Sequence, residues 1–141
     1  MPWRFEDVSE GQEIPPFVVE NLTRTDLVRY AGASGDFNPI HHDEGFAKAA
    51  GNPSVFGHGM LTAGFVAKCL TDAVGAESLR RYKVRFATRV WPGDTITCTG
   101  TITKKYEADG EARVDGEVRA TNQKGEVAVT GSFTAALPQR A

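Results

Sequence analysis

The sequence predicts an α+β domain in which an antiparallel sheet wraps around one long buried helix. Residues 59–74 are apolar apart from a narrow polar edge, which is typical of a helix that is buried on most sides. Downstream of this segment, apolar and polar residues alternate in three runs, which predicts half-buried strands. Because the chain has 141 residues, the usual length of one domain, we expect residues 1–141 to form a single domain.

The amino-terminal half of the chain predicts three short elements before the buried helix. Residues 17–19 are apolar and predict a first strand. A first helix should have Thr25 as its N-cap and should stop within the glycine-containing residues 32–35. A second short helix should begin near residues 43–44, whose carboxylates suit a helix amino terminus, and should end near residues 51–53.

Four strands are expected after the buried helix. The first covers residues 80–89 and leads into a turn at residues 91–94, which contain Pro and Gly. The other three are the alternating runs 95–103, 112–120 and 127–137. Gly110 and Gly125 mark the turns between them, so these three runs should form consecutive antiparallel strands.

The composition and charge exclude several function classes. A formal net charge of −2 gives no electrostatic reason to expect a nucleic-acid partner. The first residues carry acids and no apolar run, and the apolar segment 59–74 is interrupted by Lys68 and Asp72. We therefore expect a cytoplasmic protein without a signal peptide or membrane span. Cys69 and Cys98 each lie in an apolar pattern and should be buried free thiols.

The first candidate site is the segment Ser-Gly-Asp-Phe-Asn-Pro-Ile-His at residues 34–41. Pro39 fixes its own backbone and excludes the helical region for Asn38, so the loop is conformationally restricted. It presents Asp36, Asn38 and His41 within six residues. Asp, Asn and Pro are also ordinary turn formers, so the segment indicates either a simple turn or a catalytic loop.

The second candidate site is the segment Val-Phe-Gly-His-Gly-Met-Leu-Thr at residues 55–62, which leads into the buried helix. Gly57 and Gly59 let another group approach the backbone, where free amides and the helix dipole favour an anion or a carbonyl oxygen. The alternative is a plain glycine-rich helix start. His58 either packs against the helix start or contacts a substrate, and Met60 is a further candidate for substrate contact.

Taken together, the two segments resemble a known family. Gly-Asp-x-Asn-Pro-x-His at residues 35–41 and His-Gly-Met-Leu at residues 58–61 resemble the MaoC-like (R)-specific enoyl-CoA hydratases and 3-hydroxyacyl-thioester dehydratases. Arg-Phe at residues 85–86 and Val-Trp-Pro-Gly-Asp-Thr at residues 90–95 are similar to that family's turn into the next strand. The resemblance covers residues 5–137. It implies a hot-dog fold, usually dimeric, that adds water to, or removes it from, carbons 2 and 3 of an acyl thioester.

The resemblance also implies roles for four residues. Asp36 and His41 match the catalytic acid–base pair, which we expect to hold one water molecule. Asn38 matches the amide that orders the site, and Gly59 matches the glycine whose backbone amide faces the thioester oxygen. Arg89 departs from the pattern, because many members have a proline there, and this puts the local strand geometry in doubt.

The remaining polar residues give weaker indications of function. Arg81, Lys83 and Arg85 share one face of their predicted strand and either bind the phosphates of coenzyme A or an acidic carrier protein, or are simply solvated. His42 is expected to face solvent. No metal is expected, since the histidine spacing lacks a His-x-x-x-His pattern. No cofactor is expected beyond the coenzyme A or acyl-carrier-protein pantetheine that belongs to the substrate.

Two other functions remain open at this point. A thioesterase is one, because the same fold hosts thioester hydrolysis. A non-enzymatic acyl-thioester-binding subunit is the other, although such a subunit would be expected to lose the Asp36–His41 pair. The resemblance implies a homodimer or a heterodimer with a related hot-dog subunit, and the sequence does not decide between them.

Overall fold

The computed structural model describes residues 2–141, which form helices and one sheet. The helices are α1 (Arg24–Ser34), α2 (Glu44–Ala49) and α3 (Gly59–Val74). The strands are β1 (Glu13–Val19), β2 (Leu79–Phe86), β3 (Ile96–Ala108), β4 (Glu111–Thr121) and β5 (Val127–Ala136). Short 3₁₀ turns lie at Phe5–Asp7, Pro39–His41 and Ala76–Ser78.

The five strands form one antiparallel sheet in the order β1-β3-β4-β5-β2. Strands β3, β4 and β5 form a meander, as the alternating sequence predicted, and β1 and β2 are the two edges. Asp109 and Gly110 both have positive φ, 52° and 73°, which suits the tight turn between β3 and β4. On β3, Ile96, Cys98 and Ile102 point into the core with 0% exposure, so one face of the sheet is buried.

Helix α3 packs across the buried face of this sheet. Its buried residues are Thr62, Ala63, Val66, Cys69, Leu70, Ala73 and Val74. Burial of a Val or Leu side chain contributes about 1.5–3 kcal/mol, so α3 is held chiefly by this contact. The Tyr82 hydroxyl on β2 donates to the Ala63 carbonyl at 2.7 Å, which also ties the helix to the sheet. The α+β prediction and the helix bounds 59–74 are confirmed.

The predicted N-cap of α1 is wrong, because Thr23 rather than Thr25 occupies that position. The Thr23 side chain accepts from the Asp26 N–H at 3.0 Å, and the Asp26 carboxylate accepts from the Thr23 N–H at 2.9 Å. This reciprocal capping box needs an acid three residues after the cap, which Thr23 has and Thr25 lacks. The helix ends as predicted, with Gly35 in the left-handed region at φ 76°.

Strand β2 is shorter than predicted and stops at Phe86 instead of Arg89. The N–H groups of Ala87 and Thr88 both donate to the Ala128 carbonyl, at 2.8 Å and 3.3 Å, so the chain leaves the ladder there. At the other edge β1 is longer than predicted and begins at Glu13. Its two prolines are tolerated because β1 is an edge strand with a shift in register between Ile14 and Phe17.

The two cysteines are free and buried, as predicted. The Cys69 thiol donates to the Cys98 carbonyl at 3.5 Å. Burial raises the pKa of the Cys98 thiol to about 12, which keeps it in the unreactive protonated form. Within residues 2–141, none of the helices combines the length and the apolar character that crossing a bilayer requires.

Candidate active site

A series of short hydrogen bonds orders the loop between α1 and α2. Ser34 Oγ accepts from the Asp36 N–H at 3.1 Å, and Asp36 Oδ1 accepts from the Asn38 N–H at 3.2 Å. Asn38 Oδ1 in turn accepts from the Ile40 N–H at 3.2 Å. Each side chain binds the backbone two residues further on, which is what Ser, Asp and Asn do in turns. The loop is therefore a series of side-chain-closed turns. Asp36 uses only Oδ1 in this series, so its Oδ2 is free for another partner.

His41 lies at the end of this loop with only 7% of its surface exposed. Its Nδ1 lies 2.6 Å from the Phe56 carbonyl oxygen. Because a carbonyl can only accept, Nδ1 carries the proton and Nε2 carries the lone pair. The Phe56 ring also meets the His41 ring edge-on at 5.1 Å between centroids. His41 is thus fixed in the tautomer that can accept a proton at Nε2.

His58, the residue before α3, is buried behind His41. Its ring stacks on that of His41 at 3.8 Å between centroids, and its Nε2–H donates to the Asp36 carbonyl at 3.1 Å. Tyr30 contacts its other side edge-on at 4.8 Å. Its Nδ1 is buried and has no partner among the described residues. Burial is the main cause that lowers the pKa of His58 from its ordinary value of 6.5, so His58 is neutral at neutral pH.

The loop and the helix start bring three titratable side chains together. One carboxylate oxygen of Asp36 and one ring nitrogen each of His41 and His58 all lie within 4.8 Å of one another. Asp36 is exposed, whereas both imidazoles are buried. A water molecule can bridge polar groups at this spacing. The cluster therefore has a solvent-accessible acid beside a buried imidazole with a free lone pair.

Two imidazoles and a carboxylate are also a donor set that a transition metal accepts. In this cluster, however, the His41 and His58 rings are stacked with only 26° between their planes. A ring nitrogen binds a metal in the plane of its own ring, and an ion in the plane of one stacked ring lies out of the plane of the other. The arrangement suits hydrogen bonding to water and substrate better than joint ligation of a metal.

The amino terminus of α3 differs from those of α1 and α2 in lacking a side-chain cap. Thr23 and Asp43 cap the first two helices, whereas His58 makes no capping bond to α3. Among the described residues, no group accepts from the Gly59 N–H at this helix start. A β-carbon at Gly59 would lie 3.2 Å from the ring of Phe86, so the glycine allows that ring to approach closely. The Gly59 amide is therefore an available donor at a positive helix end.

A cavity of about 590 Å³ adjoins the uncapped end of α3. Its lining is mostly apolar and comprises Phe56, Gly57, Gly59, Thr62, Phe86, Ala87, Thr88, Arg89, Val90, Trp91, Ala128 and Val129. Neither Asp36 nor His41 lines it. Phe56 connects the two regions, because its carbonyl binds His41 and the residue also lines the cavity. The cavity and the Asp36–His41 cluster are therefore adjacent, and the start of α3 lies between them.

The remaining sequence candidates lie in different places. Met60 is 58% exposed at the start of α3, and His42 is exposed next to His41. Arg81, Lys83 and Arg85 lie on the exposed face of β2, outside the cavity lining, and Arg81 donates to Ser132 Oγ at 3.2 Å.

Sequence reasoning missed two contributors to this region. Phe56 fixes the His41 tautomer through its backbone carbonyl, for which the sequence has no signal. Arg89, which departs from the family pattern, lines the cavity, and no sequence signal places it there because residue 89 is distant in the chain from the glycine-rich segment.

Replacing His58 tests whether its bond to the Asp36 carbonyl positions the loop. We expect His58→Leu to lower kcat about tenfold, since one lost hydrogen bond is worth about 1–1.5 kcal/mol and the loop loses a fixed point. His58→Gln can place its amide N–H near the same carbonyl and should recover most of that loss. In the wild type, imidazole ¹⁵N NMR should show His58 as the neutral Nε2–H form at neutral pH.

A purely structural role for His58 predicts a different outcome. Leu and Gln variants would then lose thermal stability and activity in parallel, and Gln would give no specific recovery of kcat.

Comparison with known proteins identifies the family of the chain. The family model described as MaoC like domain matches residues 9–124. The chain is 35% identical over 101 residues to the (R)-specific enoyl-CoA hydratase of Rhodospirillum rubrum, covering 70% of this chain and 69% of that protein. It is 40% identical over 90 residues to the peroxisomal hydratase-dehydrogenase-epimerase of Saccharomyces cerevisiae, covering 64% of this chain. The match spans only 10% of the length of that yeast protein.

Two solved structures have the same fold. The (R)-hydratase from A. caviae involved in PHA biosynthesis gives a TM-score of 0.82 at 25% identity and covers 94% of this chain and 99% of that one. The ChsH1–ChsH2 complex from Mycobacterium tuberculosis gives 0.78 at 25% identity, with coverage of 92% and 98%. The chain therefore belongs to the MaoC-like domain family and has the hot-dog fold of the hydratases in it.

Proposed function

We propose that this protein is a hydro-lyase that reversibly hydrates 2-enoyl thioesters to (R)-3-hydroxyacyl thioesters. The observation that carries the proposal is the cluster in which one carboxylate oxygen of Asp36 and one ring nitrogen of His41 lie within 4.8 Å of each other. It lies beside the uncapped start of α3, where the Gly59 amide is available. The Rhodospirillum rubrum relative, which is named for this activity, supports the same assignment.

The chemistry follows from what each group can do. One water molecule held between Asp36 Oδ2 and His41 Nε2 would add its oxygen to carbon 3 of the enoyl group. The pair, acting as one unit, takes a proton from that water and returns a proton to carbon 2, so that one H₂O is added overall. Negative charge develops on the thioester oxygen during this step. The Gly59 N–H at the positive end of α3 is placed to stabilise that charge, as an oxyanion-hole donor does.

Asn38 and His58 position these groups. Asn38 accepts from the Ile40 N–H and so closes the turn that leads to His41. His58 binds the carbonyl of Asp36 from the buried side. The step uses no cofactor other than the coenzyme A or acyl-carrier-protein pantetheine of the substrate.

Incubating the purified chain with crotonyl-CoA tests the proposal against the closest rival, a thioesterase. We expect the absorbance of the conjugated enoyl thioester to fall without release of free thiol, and the product to be the (R)-alcohol. Thiol release at the rate of absorbance loss would identify a thioesterase instead. If neither signal appears with 2-enoyl-CoA esters of graded length and bulk, a binding subunit is the better assignment.

We further propose that the chain forms a homodimer through β2. Both β1 and β2 are edges of the sheet, but Pro15 and Pro16 remove donors from β1 whereas β2 contains no proline. Strand β2 is thus the edge better suited to pair with a second copy. Because its exposed face carries Arg81, Lys83 and Arg85, a related subunit with an acidic edge is the alternative partner, as in the ChsH1–ChsH2 complex of two different chains.

A cytoplasmic location is also proposed. Two free, buried cysteines are consistent with a reducing compartment.

A further inference from the structure

Arg89 lies at the rim of the 590 Å³ cavity that adjoins the start of α3. Its guanidinium carbon lies 4.9 Å from the centroid of the Phe56 ring, close enough for a cation–π contact. The residue is exposed, so its charge faces the solvent-accessible mouth of the cavity. A cation is thus held over an aromatic ring at the entrance of a mostly apolar cavity.

No acid of the chain neutralises this arginine. In the part of the chain that the structure describes, no carboxylate lies within 4.0 Å of the Arg89 guanidinium. By contrast, Arg24, Arg80, Arg113 and Arg140 each form an ion pair with an Asp or Glu. The stack on Phe56 leaves the N–H donors of Arg89, which form a planar fork suited to carboxylate and phosphate, free for a ligand.

Arg89 is also near the reacting groups. The two spacings in series, 4.9 Å from Arg89 Cζ to the Phe56 ring and 5.1 Å from that ring to the His41 ring, limit the separation of Arg89 from His41 to about 10 Å. That distance is an upper limit, and it joins a residue that lines the cavity to one that does not. Arg89 is near enough to contact another part of a substrate bound at the water between Asp36 and His41.

The backbone around Arg89 is rigid, which makes it a suitable anchor. Ala87 and Thr88 are bound to the Ala128 carbonyl, and Val90 is buried with 4% exposure. The Val90 carbonyl accepts from the Gly57 N–H at 2.7 Å, so this turn is tied directly to the glycine-rich segment before α3. A proline at residue 89 would offer no charge here.

From this placement we propose that Arg89 binds an anionic group of the thioester substrate, away from the reacting carbons. This inference rests on the proposed hydratase function. Either a phosphate of the coenzyme A carrier or a carboxylate on the acyl chain has the required chemistry. The residue would contribute to substrate binding and not to the proton transfers.

Three substrates distinguish the two sources of the anion. Steady-state kinetics of the wild type and Arg89→Gln would be compared with crotonyl-CoA, crotonyl-pantetheine and glutaconyl-CoA. Crotonyl-pantetheine lacks the phosphates, and glutaconyl-CoA adds a carboxylate to the acyl chain. Arg119→Gln, an exposed position on β4 outside the cavity lining, is the matched control.

We expect Arg89→Gln to raise KM about tenfold or more for the substrate that carries the recognised anion, with kcat within about twofold, because a bond to a charged group is lost. If the anion is the carrier phosphate, KM rises for both CoA esters and not for crotonyl-pantetheine. If it is the acyl carboxylate, KM rises for glutaconyl-CoA alone. Arg89→Lys should recover part of the loss, and Arg119→Gln should match the wild type.

Two results overturn the inference while leaving the hydratase proposal intact. One is an unchanged KM for all three substrates. The other is an equal rise for all three, which would indicate lost packing on Phe56 instead of a lost charge. A wild type that hydrates none of the substrates would instead contradict the proposed function itself.

Discussion

Replacing Asp36 with Asn, or His41 with Asn, should lower kcat for enoyl-thioester hydration by about 10²–10⁴-fold, the usual contribution of a positioned acid–base group. Both substitutions are chosen to keep the local fold. Asn at residue 36 retains an oxygen that can accept from the Asn38 N–H. Asn at residue 41 retains a donor near the position of Nδ1 that can bind the Phe56 carbonyl. What each loses is the atom, Asp36 Oδ2 or His41 Nε2, that the proposed mechanism assigns to the water.

His42 provides the control for this experiment. It follows His41 in the chain but is exposed, so His42→Asn should leave kcat near the wild-type value. Far-ultraviolet circular dichroism and the unfolding midpoint should be unchanged in all three variants. Retention of more than about a tenth of wild-type kcat by either Asp36→Asn or His41→Asn would contradict the assignment of the pair.

The second large effect concerns the sheet that supports the site. We expect Gly116→Ala to lower the free energy of unfolding by about 1–3 kcal/mol, the usual cost of overpacking a well-packed core. A β-carbon at Gly116 would lie 2.5 Å from the Phe133 ring and 2.5 Å from the Thr101 carbonyl oxygen. The ring is buried with 1% exposure, and the carbonyl belongs to the backbone of neighbouring β3, so neither can move away at low cost.

Gly64 offers a matched control for that substitution. It lies on the exposed side of α3, and a β-carbon there would meet nothing within 4 Å. Gly64→Ala should therefore stabilise the protein by about 0.5–1 kcal/mol, because Ala is favoured over Gly inside a helix. Urea unfolding of both variants, with unchanged m-values, measures the two effects. A Gly116→Ala variant as stable as the wild type would show that Phe133 and β3 shift readily.

Local sequence signals predicted the elements that depend on local chemistry. Residues 59–74 are bounded by Gly59 and Gly75 and are apolar on most sides, so both ends of α3 could be read directly. The β3–β4 turn followed from Gly110, because glycine readily adopts the positive φ that a tight turn requires. The Asp36–His41 pair could be proposed because Pro39 restricts the loop and because the motif resembles a known family.

Features that depend on tertiary contacts could not be read in this way. The end of β2 at Phe86 is set by the two bonds to the carbonyl of Ala128, which lies in the neighbouring strand β5 but far away in the sequence. Period-two alternation continues past that point in the sequence and carries no signal for it. The same limit applies to the cations, because alternation placed Arg81, Lys83 and Arg85 on one face but did not indicate that Arg89 lies nearer the site.

A double-mutant cycle in kcat tests most directly whether one carboxyl and one imidazole handle a shared water. The rates of Asp36→Asn, His41→Asn and the double variant would be measured with saturating crotonyl-CoA. Groups that act as a unit show losses that are far from additive, so the double variant should be about as slow as the slower single variant. Losses that multiply in the double variant would mean that the two side chains act independently, and the proposed arrangement would be wrong.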